Sequence, residues 1–540
     1  MVIEPLTTKW TNPFIKDYIQ GNEQILNFYD YSPYSKDVFR KRKEDLDKLV
    51  FERDVLTDVL MTLNKNWNAD NVTLQNIERL EQKNSLVVIG GQQAGLLTGP
   101  MLSIHKIISI ISLSKQQEKE LGVPVIPVFW IAGEDHDYDE INHVFLPKEG
   151  ELTKHIYPSS TWNKLSISER TIIEEELKKW VHEAFRYFEE TEHTYDLYNM
   201  VDRVIEQSHN LVDFFAQIIH WLFKETGLVL IDSGNSLVRK IESNLFIQMI
   251  EKQPAISQSV YTTLENLRTR GYSVSVEVEE DDAHLFYHLH GERILLKRKD
   301  DKWIGKNQEC ELSTEELIEI AKTSPERLSN NVVTRPLMQE MLFPTLAFYG
   351  GMSEVAYWGI LKGAFHHLDM KMPPVLPRTS FTWIERKVER YLDKYGIPIE
   401  QAIMSGVDEY KMNWLKAQLA PPLDLMIDEF KESIKKQHQV FQDIAASWRP
   451  DMENYAEKNL EYILQQTENL RNQFHREQER DYSQTLNEFD YLNAHLYPNN
   501  GFQERSWNIF YFLNRFGVDK FRTFFNEDYS YKQLHYVIKL

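Results

Sequence analysis

Cysteine is almost absent from this chain: Cys310 is the only one in 540 residues. A single thiol excludes an intramolecular disulfide framework and a zinc site made of several cysteines, and it predicts a reducing compartment such as the cytoplasm. The amino-terminal residues lack the pattern of a signal peptide, and no apolar run approaches the length of a membrane span. We therefore expect a cytoplasmic protein with no membrane partner.

Positive charge is also in short supply, since 61 lysine and arginine residues face 82 aspartate and glutamate residues. The formal net charge of −21 argues against a nucleic acid as the main partner, because a phosphate backbone attracts basic surfaces. A local basic pocket for a small anion is compatible with this charge.

Several enzyme motifs are missing as well. There is no Gly-x-Ser-x-Gly elbow of a serine hydrolase, no Walker A loop and no dinucleotide-binding glycine fingerprint. No second histidine cluster accompanies the acidic residues described below, so we predict no dedicated zinc site. Whether a metal assists stays open.

The chain does contain four short apolar runs that each end in glycine and polar residues, at 85–93, 126–140, 228–234 and 346–354. Continuous apolar runs of this length are typical of strands buried on both faces in parallel sheets. Ligands of such sheets bind beyond the carboxyl ends of the strands. The sequence therefore predicts an α/β fold in which the polar ends are candidates for one site.

The first run ends in a glycine-rich loop at 90–95, and a helix is predicted to begin at Pro100. Backbone amides of such a loop can bind phosphate or carboxylate, although glycines also serve tight turns alone. His105, in the predicted helix, is included as a catalytic candidate that could face the crevice. The predicted binding residues of this loop are Gly91, Gln92, Gln93 and Gly99.

The second run ends in the densest acidic cluster at any strand end, Glu134-Asp135-His136-Asp137 followed by Asp139 and Glu140. Carboxylates at a strand end can hold an amine, bind a divalent cation or act as acid and base, or they can cap the next helix. The nearby glycine loop favours a functional role. We predict that Asp135, His136 and Asp137 are catalytic and that Glu134 binds substrate.

The fourth run ends in Gly350-Gly351-Met352-Ser353-Glu354, whose polar side chains either contact a ligand or cap the helix that follows. Arg335 and Arg378 flank this unit, and guanidinium groups suit carboxylates, although structural ion pairs explain them equally well. The predicted substrate- or nucleotide-binding residues of this unit are Gly351, Ser353, Glu354, Arg335 and Arg378.

Two changes of composition predict insertions in the sheet domain, at about 148–225 and about 257–330. The first is charged and helical. The second alternates apolar and polar residues at 272–279 and 285–296, which favours antiparallel strands.

Two sets of apolar residues, within 427–448 and 456–474, step by three and four residues on either side of a Trp-Arg-Pro-Asp break. Such spacing buries a seam between helices, and the break predicts an antiparallel hairpin. We assign 1–390 to the sheet domain with its insertions, 391–490 to an α-helical coiled-coil domain and 491–540 to a segment that returns to the core.

Several long motifs resemble those of the BshC family, the cysteine-adding enzymes of bacillithiol biosynthesis. They are Gly-Gly-Gln-Gln-Ala-Gly-Leu-Leu-Thr-Gly-Pro at 90–100, Phe-Trp-Ile-Ala-Gly-Glu-Asp-His-Asp-Tyr-Asp-Glu-Ile-Asn at 129–142, Asn-Val-Val-Thr-Arg-Pro at 331–336, Phe-Pro-Thr-Leu-Ala-Phe at 343–348, Met-Pro-Pro-Val-Leu-Pro-Arg at 372–378 and Gly-Phe-Gln-Glu-Arg at 501–505. The likeness runs nearly the full length of the chain. It adds Asn142, the last residue of the second motif, to the predicted binding residues.

The resemblance implies a Rossmann-like core with inserted connecting segments and a coiled-coil domain that forms a homodimer. It also implies the last step of bacillithiol synthesis, in which L-cysteine is joined through an amide to the amine of glucosaminyl malate. Activation of the cysteine carboxylate by ATP or another nucleotide is expected. The His-Ile-Gly-His and Lys-Met-Ser-Lys-Ser motifs of class I synthetases are nevertheless absent.

Our mechanistic hypothesis is that Asp135 or Asp137 orients an amine and that one carboxylate accepts its proton. Backbone amides near Gly91 and Gly99, with His105, stabilise phosphate or the developing oxyanion. Two alternatives stay open: a nucleotidyltransferase acting on another small amine or acid, and a non-catalytic scaffold protein that works through its helical hairpin.

Overall fold

The structure, a computed structural model, describes residues 2–8, 10, 12–148, 150–158, 165–418, 422–525 and 527–540. They fall into two compact units. The larger unit lies within residues 1–148, 152–383 and 503–539, and the smaller within 149–151, 384–502 and 540. Within the described residues, no helix has the length and apolar character needed to cross a bilayer. The domain limits at 390 and 490 stay predictions.

The amino-terminal part of the larger unit is mainly helical. Some of its helices begin at polar caps: the side chains of Asn12 and Asp70 accept hydrogen bonds from backbone N–H groups in the first turns of the two helices that follow them. The elements are β1 (Val2–Pro5), α1 (Pro13–Gln20), α2 (Glu23–Leu26), α3 (Val38–Leu46), α4 (Arg53–Asn66) and α5 (Asn71–Arg79).

The first two apolar runs form strands. β2 (Leu86–Gln92) leads through α6 (Leu102–Leu121) to β3 (Val125–Ile131), which is buried along its whole length, and α7 (Tyr138–Ile141) follows. The predicted start of α6 at Pro100 is wrong by two residues. Residues 97–99 all have positive φ, and Pro100 makes a β-bridge with Asn508 instead of opening the helix.

In its described residues the first insertion contains a two-stranded sheet and three α-helices, and the chain then returns to the parallel sheet. The insertion comprises β4 (His143–Lys148), β5 (Glu151–Ile156), α8 (Glu174–Phe185), α9 (Thr194–Gln207) and α10 (Leu211–Leu222). After it come β6 (Val229–Asp232), α11 (Ser236–Ile241) and α12 (Ser243–Thr269).

The second insertion is an antiparallel sheet, which confirms the predicted pairing at 285–296. Its elements are β7 (Asp282–Leu289), β8 (Glu292–Lys299), β9 (Lys302–Gly305), β10 (Glu311–Ser313), α13 (Thr314–Thr323) and β11 (Leu328–Asn330), with strand order β10-β9-β8-β7-β11. The prediction for its first part is wrong. Residues 257–269 belong to α12, and the described residues 272–279 form no strand, because alternation alone does not supply a partner strand.

The chain next completes the parallel sheet with β12 (Thr345–Gly350) and β13 (Val375–Pro377), and β14 (Ser380–Ile384), which follows, belongs to a separate small sheet. The helices of this stretch are α14 (Thr334–Leu342), α15 (Met352–Trp358) and α16 (Lys362–His367). The strand order is β13-β12-β2-β3-β6, so all four apolar runs share one parallel sheet, as predicted. The order reverses between β2 and β12. In sheets of this kind the ligand crevice lies at that reversal, outside the carboxyl ends of the strands.

The smaller unit is helical and contains the predicted hairpin. Contacts of Asp428 with Arg471 and of His438 with Asn459 pair the two long helices in opposite directions. Its elements are α17 (Arg386–Tyr395), α18 (Ile399–Ser405), α19 (Asp408–Ala417), α20 (Leu423–Trp448), α21 (Pro450–Asp481) and α22 (Ser483–Leu496).

The predicted seam of this hairpin closes only in part. Ile427, Ala456 and Thr467 are buried, whereas six other apolar side chains of the seam are exposed. Two helices can bury only a narrow stripe between them. The exposed seam residues are Phe430, Phe441, Ile444, Trp448, Leu470 and Phe474.

Residues 503–539 of the carboxyl-terminal segment belong to the larger unit, whereas 491–502 belong to the smaller one. Ile509, Phe510 and Phe512 are fully buried. The segment contains α23 (Ile509–Phe516), α24 (Val518–Phe525) and β15 (His535–Lys539), and β15 lies between β1 and β14 in a small sheet.

Candidate active site

The glycines at the end of β2 let three strands approach closely at the switch point. A Cβ atom on Gly90 would lie 2.7 Å from the backbone oxygen of Tyr349 in β12, and one on Gly91 would lie 2.7 Å from the backbone oxygen of Trp130 in β3. Both contacts are too short for any other residue. The glycine pair therefore has a geometric cause, whether or not it also contacts a ligand.

Lys106 reaches this switch point from α6 and is almost completely buried. Its Nζ donates to the backbone oxygen of Gly91 (2.5 Å), to Oε2 of Glu354 (2.6 Å) and to Oε1 of Gln92 (3.2 Å). The same Glu354 oxygen accepts the backbone N–H of Gly351 (2.7 Å). Burial alone would raise the pKa of Glu354, but the charge of Lys106 lowers it overall. Lys106 and Glu354 thus tie the ends of β2 and β12 together.

Arg378 lies beside Gly351 and is held by a carboxylate from the carboxyl-terminal segment. Its Nη2 donates to Oε1 of Glu504 (2.5 Å), and Oε2 of Glu504 lies 2.7 Å from Nδ1 of His105. Burial would raise the pKa of Glu504, but Arg378 and His105 lower it to about 2. His105 is fully buried, and its Nε2 accepts from the indole N–H of Trp383 (3.3 Å). These contacts favour a positioning role for His105, whose catalytic role stays a prediction.

Arg335 stacks on the ring of Phe348, with the guanidinium carbon 5.4 Å from the ring centroid. Its Nη1 donates to Oε1 of Gln339 (3.0 Å), whereas its Nη2 is buried and has no hydrogen-bond partner among the described residues. The Nε of Arg378 has none there either. With Lys106, these two arginines form a cationic end of the crevice next to β12 and β13, where buried N–H groups are available to an anion.

Glu134, at the end of β3, is committed to a buried ion-pair network. Its Oε2 accepts from the guanidinium of Arg239 and from the backbone N–H of Asn330, and only 4% of the residue is exposed. Arg239 also pairs with Glu242 (2.7 Å), whose pKa burial raises to about 7. Glu134 is therefore better placed to hold α11 and the second insertion against β3 than to reach a ligand.

Asp135 is partly accessible to solvent and is also fixed by hydrogen bonds. Its Oδ2 accepts from the side-chain amide of Gln93 (2.6 Å), and its Oδ1 accepts the backbone N–H of His136 (2.8 Å). About a third of its side chain is exposed. Arg293, from β8, contacts both Asp135 and His136. Asp137 is exposed to solvent.

The remaining predicted residues lie around this edge in different environments. Gly99 has a φ of +67°, and its backbone oxygen accepts from the side-chain amide of Asn508 (2.8 Å). Asn142 is 6% exposed and donates to Asp139 (3.2 Å). Ser353 is exposed. The strand-end residue Asp232 is buried, accepts a hydrogen bond from Ser168 and has its pKa raised to about 6 by burial, which favours a structural role.

Three residues that shape this edge were not among the predicted site residues: Lys106, Arg293 and Glu504. Two of them could have been found from the sequence. Lys106 directly follows the candidate His105, and Glu504 lies in the motif at 501–505. Arg293 could not have been found in this way. It lies on a strand of the second insertion, and no local sequence pattern indicates that this insertion packs against the end of β3.

The sheet order, the crevice at the switch point and the helical hairpin together define a Rossmann-like α/β protein with a coiled-coil domain. The model of the bacillithiol biosynthesis BshC N-terminal Rossmann-like domain matches residues 1–379, and the model of the BshC C-terminal coiled-coil domain matches residues 381–540. The chain belongs to the BshC family of bacillithiol biosynthesis.

Similar proteins carry the name "Putative cysteine ligase BshC". The protein from Oceanobacillus iheyensis is 39% identical over the whole of both chains. The protein from Bacillus cereus strain AH187 is 39% identical over 97% of this chain and 98% of its own length, and that from Bacillus licheniformis is 38% identical over the whole of both chains.

Proposed function

We propose that this protein is a ligase that joins L-cysteine to the amine of glucosaminyl malate through an amide, as the last step of bacillithiol biosynthesis. The observation that carries the proposal is the full-length likeness to relatives named as cysteine ligases. The crevice supports it, because amide formation needs a proton acceptor for the amine and donors for the acyl oxygen, and the crevice has both.

We assign the accessible carboxylate of Asp135 the role of proton acceptor for the attacking amine. As the amine nitrogen forms a bond to the activated cysteine carbonyl carbon, the bond from that carbon to the activating group breaks and that group leaves with the electron pair. The amine loses a proton in the same reaction, and Asp135 accepts it. Asp137 is the second candidate for this role. The acyl oxygen gains negative charge in the same step, and the N–H groups of Arg335 and Arg378 without partners are suited to stabilise it.

We also propose a nucleotide, ATP or a relative of it, as the co-substrate. The donor set of the crevice fits an anion at the cationic end, where Arg335 and Arg378 would hold its phosphates beside the charge of Lys106, and not beside Glu134 and Asp135. A nucleotide bound there would supply the activation of the cysteine carboxylate. Whether a metal assists is left to the assay below.

The proposal is tested with purified protein, L-cysteine, glucosaminyl malate and ATP, with and without magnesium, by mass spectrometry of the thiol product and by assay of phosphate and pyrophosphate. We expect product only when both organic substrates are present. Pyrophosphate release that does not depend on cysteine would instead indicate a nucleotidyltransferase. The absence of any turnover, with pathway function lost only on deletion of the hairpin, would indicate a scaffold.

We further propose that the protein works in the cytoplasm as a homodimer formed through the coiled-coil domain. The exposed side chains Phe441, Trp448 and Tyr455 line an apolar groove of about 400 Å³ on the hairpin, and an apolar surface of this kind is typical of an interface.

Glutamate in place of both Phe441 and Trp448 is expected to convert the dimer to a monomer, because each change places a charge in the apolar interface. Light scattering coupled to size exclusion measures the mass. Glutamate in place of Tyr195, an aromatic residue of the larger unit that is 74% exposed, is the matched control and should leave the dimer intact. A wild-type protein with the mass of one chain at micromolar concentration would contradict the proposal.

A further inference from the structure

The second insertion contributes one cation to the acidic end of β3. Arg293 lies on β8, is 6% exposed, and reaches out of its own sheet to the loop that follows β3. Its Nη1 lies 3.3 Å from Oδ1 of Asp135 and 3.2 Å from Nδ1 of His136. The other charges that act on Arg293 are those of Glu134 and Arg239.

The rest of the guanidinium is fixed by the insertion itself. Its Nη2 donates to the backbone oxygen of Asn330 (2.6 Å), its Nε donates to Oγ of Ser329 (3.0 Å), and its plane covers the ring of Phe286, with the guanidinium carbon 3.8 Å from the centroid. Three contacts therefore set its position independently of Asp135.

A neighbouring histidine fixes the hydroxyl group in this arrangement. Nε2 of His288 lies 2.9 Å from Oγ of Ser329, and burial together with nearby arginines lowers the pKa of His288 to about 3. A neutral imidazole can accept the Ser329 proton, so that the oxygen lone pairs of Ser329 face Arg293.

The contact with His136 also selects a tautomer. A guanidinium group only donates hydrogen bonds, so Nδ1 of His136 must accept, and the proton of the neutral ring lies on Nε2. Asp135 is meanwhile held on its other oxygen by Gln93 at the end of β2. The carboxylate thus contacts Gln93 from the parallel sheet and Arg293 from the insertion, and the rest of its surface faces solvent.

We propose that Arg293 is a positioning residue of the ligation reaction: it holds the Asp135 carboxylate and the His136 ring in the orientation in which Asp135 accepts the proton of the attacking amine. The inference rests on the proposed function. It means that the site needs a residue from the second insertion in addition to the residues of the parallel sheet.

The test compares R293M and R293K with wild type in kcat and in the KM of each substrate. R293M should lower kcat about tenfold or more and leave each KM nearly unchanged, because Asp135 is no longer held in the orientation that accepts the proton while the substrates still bind. R293K should recover part of kcat, since an ammonium group keeps the charge and loses the forked geometry.

R298M is the matched control. Arg298 lies on the same strand and stacks on Trp303 (5.2 Å), and among the described residues its side chain contacts only the insertion and α12, so its loss should leave kcat unchanged. A double-mutant cycle then separates the hypotheses: in a D135N background, R293M should cause no further loss of kcat. Normal activity of D135N would overturn the proposed site. An inactive D135N together with a wild-type kcat in R293M would overturn only the role of Arg293.

Discussion

Asparagine in place of Asp135 is expected to lower kcat about 10²- to 10⁴-fold, the usual contribution of one proton-transfer group. The amide keeps the size of the side chain and can still contact Gln93, but it cannot take the proton of the attacking amine. Since Asp135 is about a third exposed, the melting temperature should stay within a few degrees of wild type. Product formation under saturating substrates, with thermal unfolding of the same samples, measures both quantities.

Two neighbours make this result interpretable. Glutamine in place of Glu140, an exposed acid of the same cluster, should retain wild-type activity. Asparagine in place of Asp137 decides between the two candidate carboxylates, because only the true proton acceptor should show the large loss. If D135N and D137N both turn over normally, the acidic cluster is not the catalytic base.

Alanine in place of Glu504 is expected to lower the free energy of unfolding by about 3–5 kcal/mol, the usual effect of removing one partner of a buried ion pair. Glu504 is 2% exposed and is the counter-ion of Arg378, which would be left buried without it. The KM for the nucleotide, whose phosphates we place at Arg378, should also rise, because Arg378 would no longer be fixed. Urea unfolding followed by fluorescence gives the stability, and steady-state kinetics gives KM.

An exposed pair provides the comparison for Glu504. Lys539 and Glu4 lie 2.9 Å apart at the surface, and alanine in place of Glu4 should change the stability by less than about 1 kcal/mol. The folded-state pKa of Glu504 is lowered, so its contribution is fully present above the ordinary pKa of glutamate and is lost as the pH falls towards about 2. Equal effects of E504A and E4A would contradict the buried-pair interpretation.

The parallel sheet was predictable because four of its strands, β2, β3, β6 and β12, come from short apolar runs that are each followed by glycine. Their order was not, since no local pattern states that β12 lies beside β2 rather than beside β6. The segment 272–279 shows the converse error. Its alternation satisfies the strand rule, but a strand also needs a neighbour with which to share hydrogen bonds.

The site was predictable at its strand ends and not in its long-range contacts. His105 and Lys106 are adjacent in the sequence, yet a helix turns about 100° between successive residues, so they face different surroundings. Lys106 reaches the crevice and His105 reaches Glu504. Choosing between them requires the position of the carboxyl-terminal segment, which lies about 400 residues farther along the chain.

The late position of Glu504 in the sequence has a consequence for synthesis of the protein in the cell. Arg378 and its counter-ion are separated by the smaller unit, residues 384–502, which takes roughly 6–24 s to translate at about 5–20 residues per second. Throughout that time the nascent larger unit contains its parallel sheet but lacks the carboxylate that holds Arg378 and the Asn508 amide that holds the turn before α6. A chain that terminates prematurely inside the hairpin therefore never acquires a finished crevice.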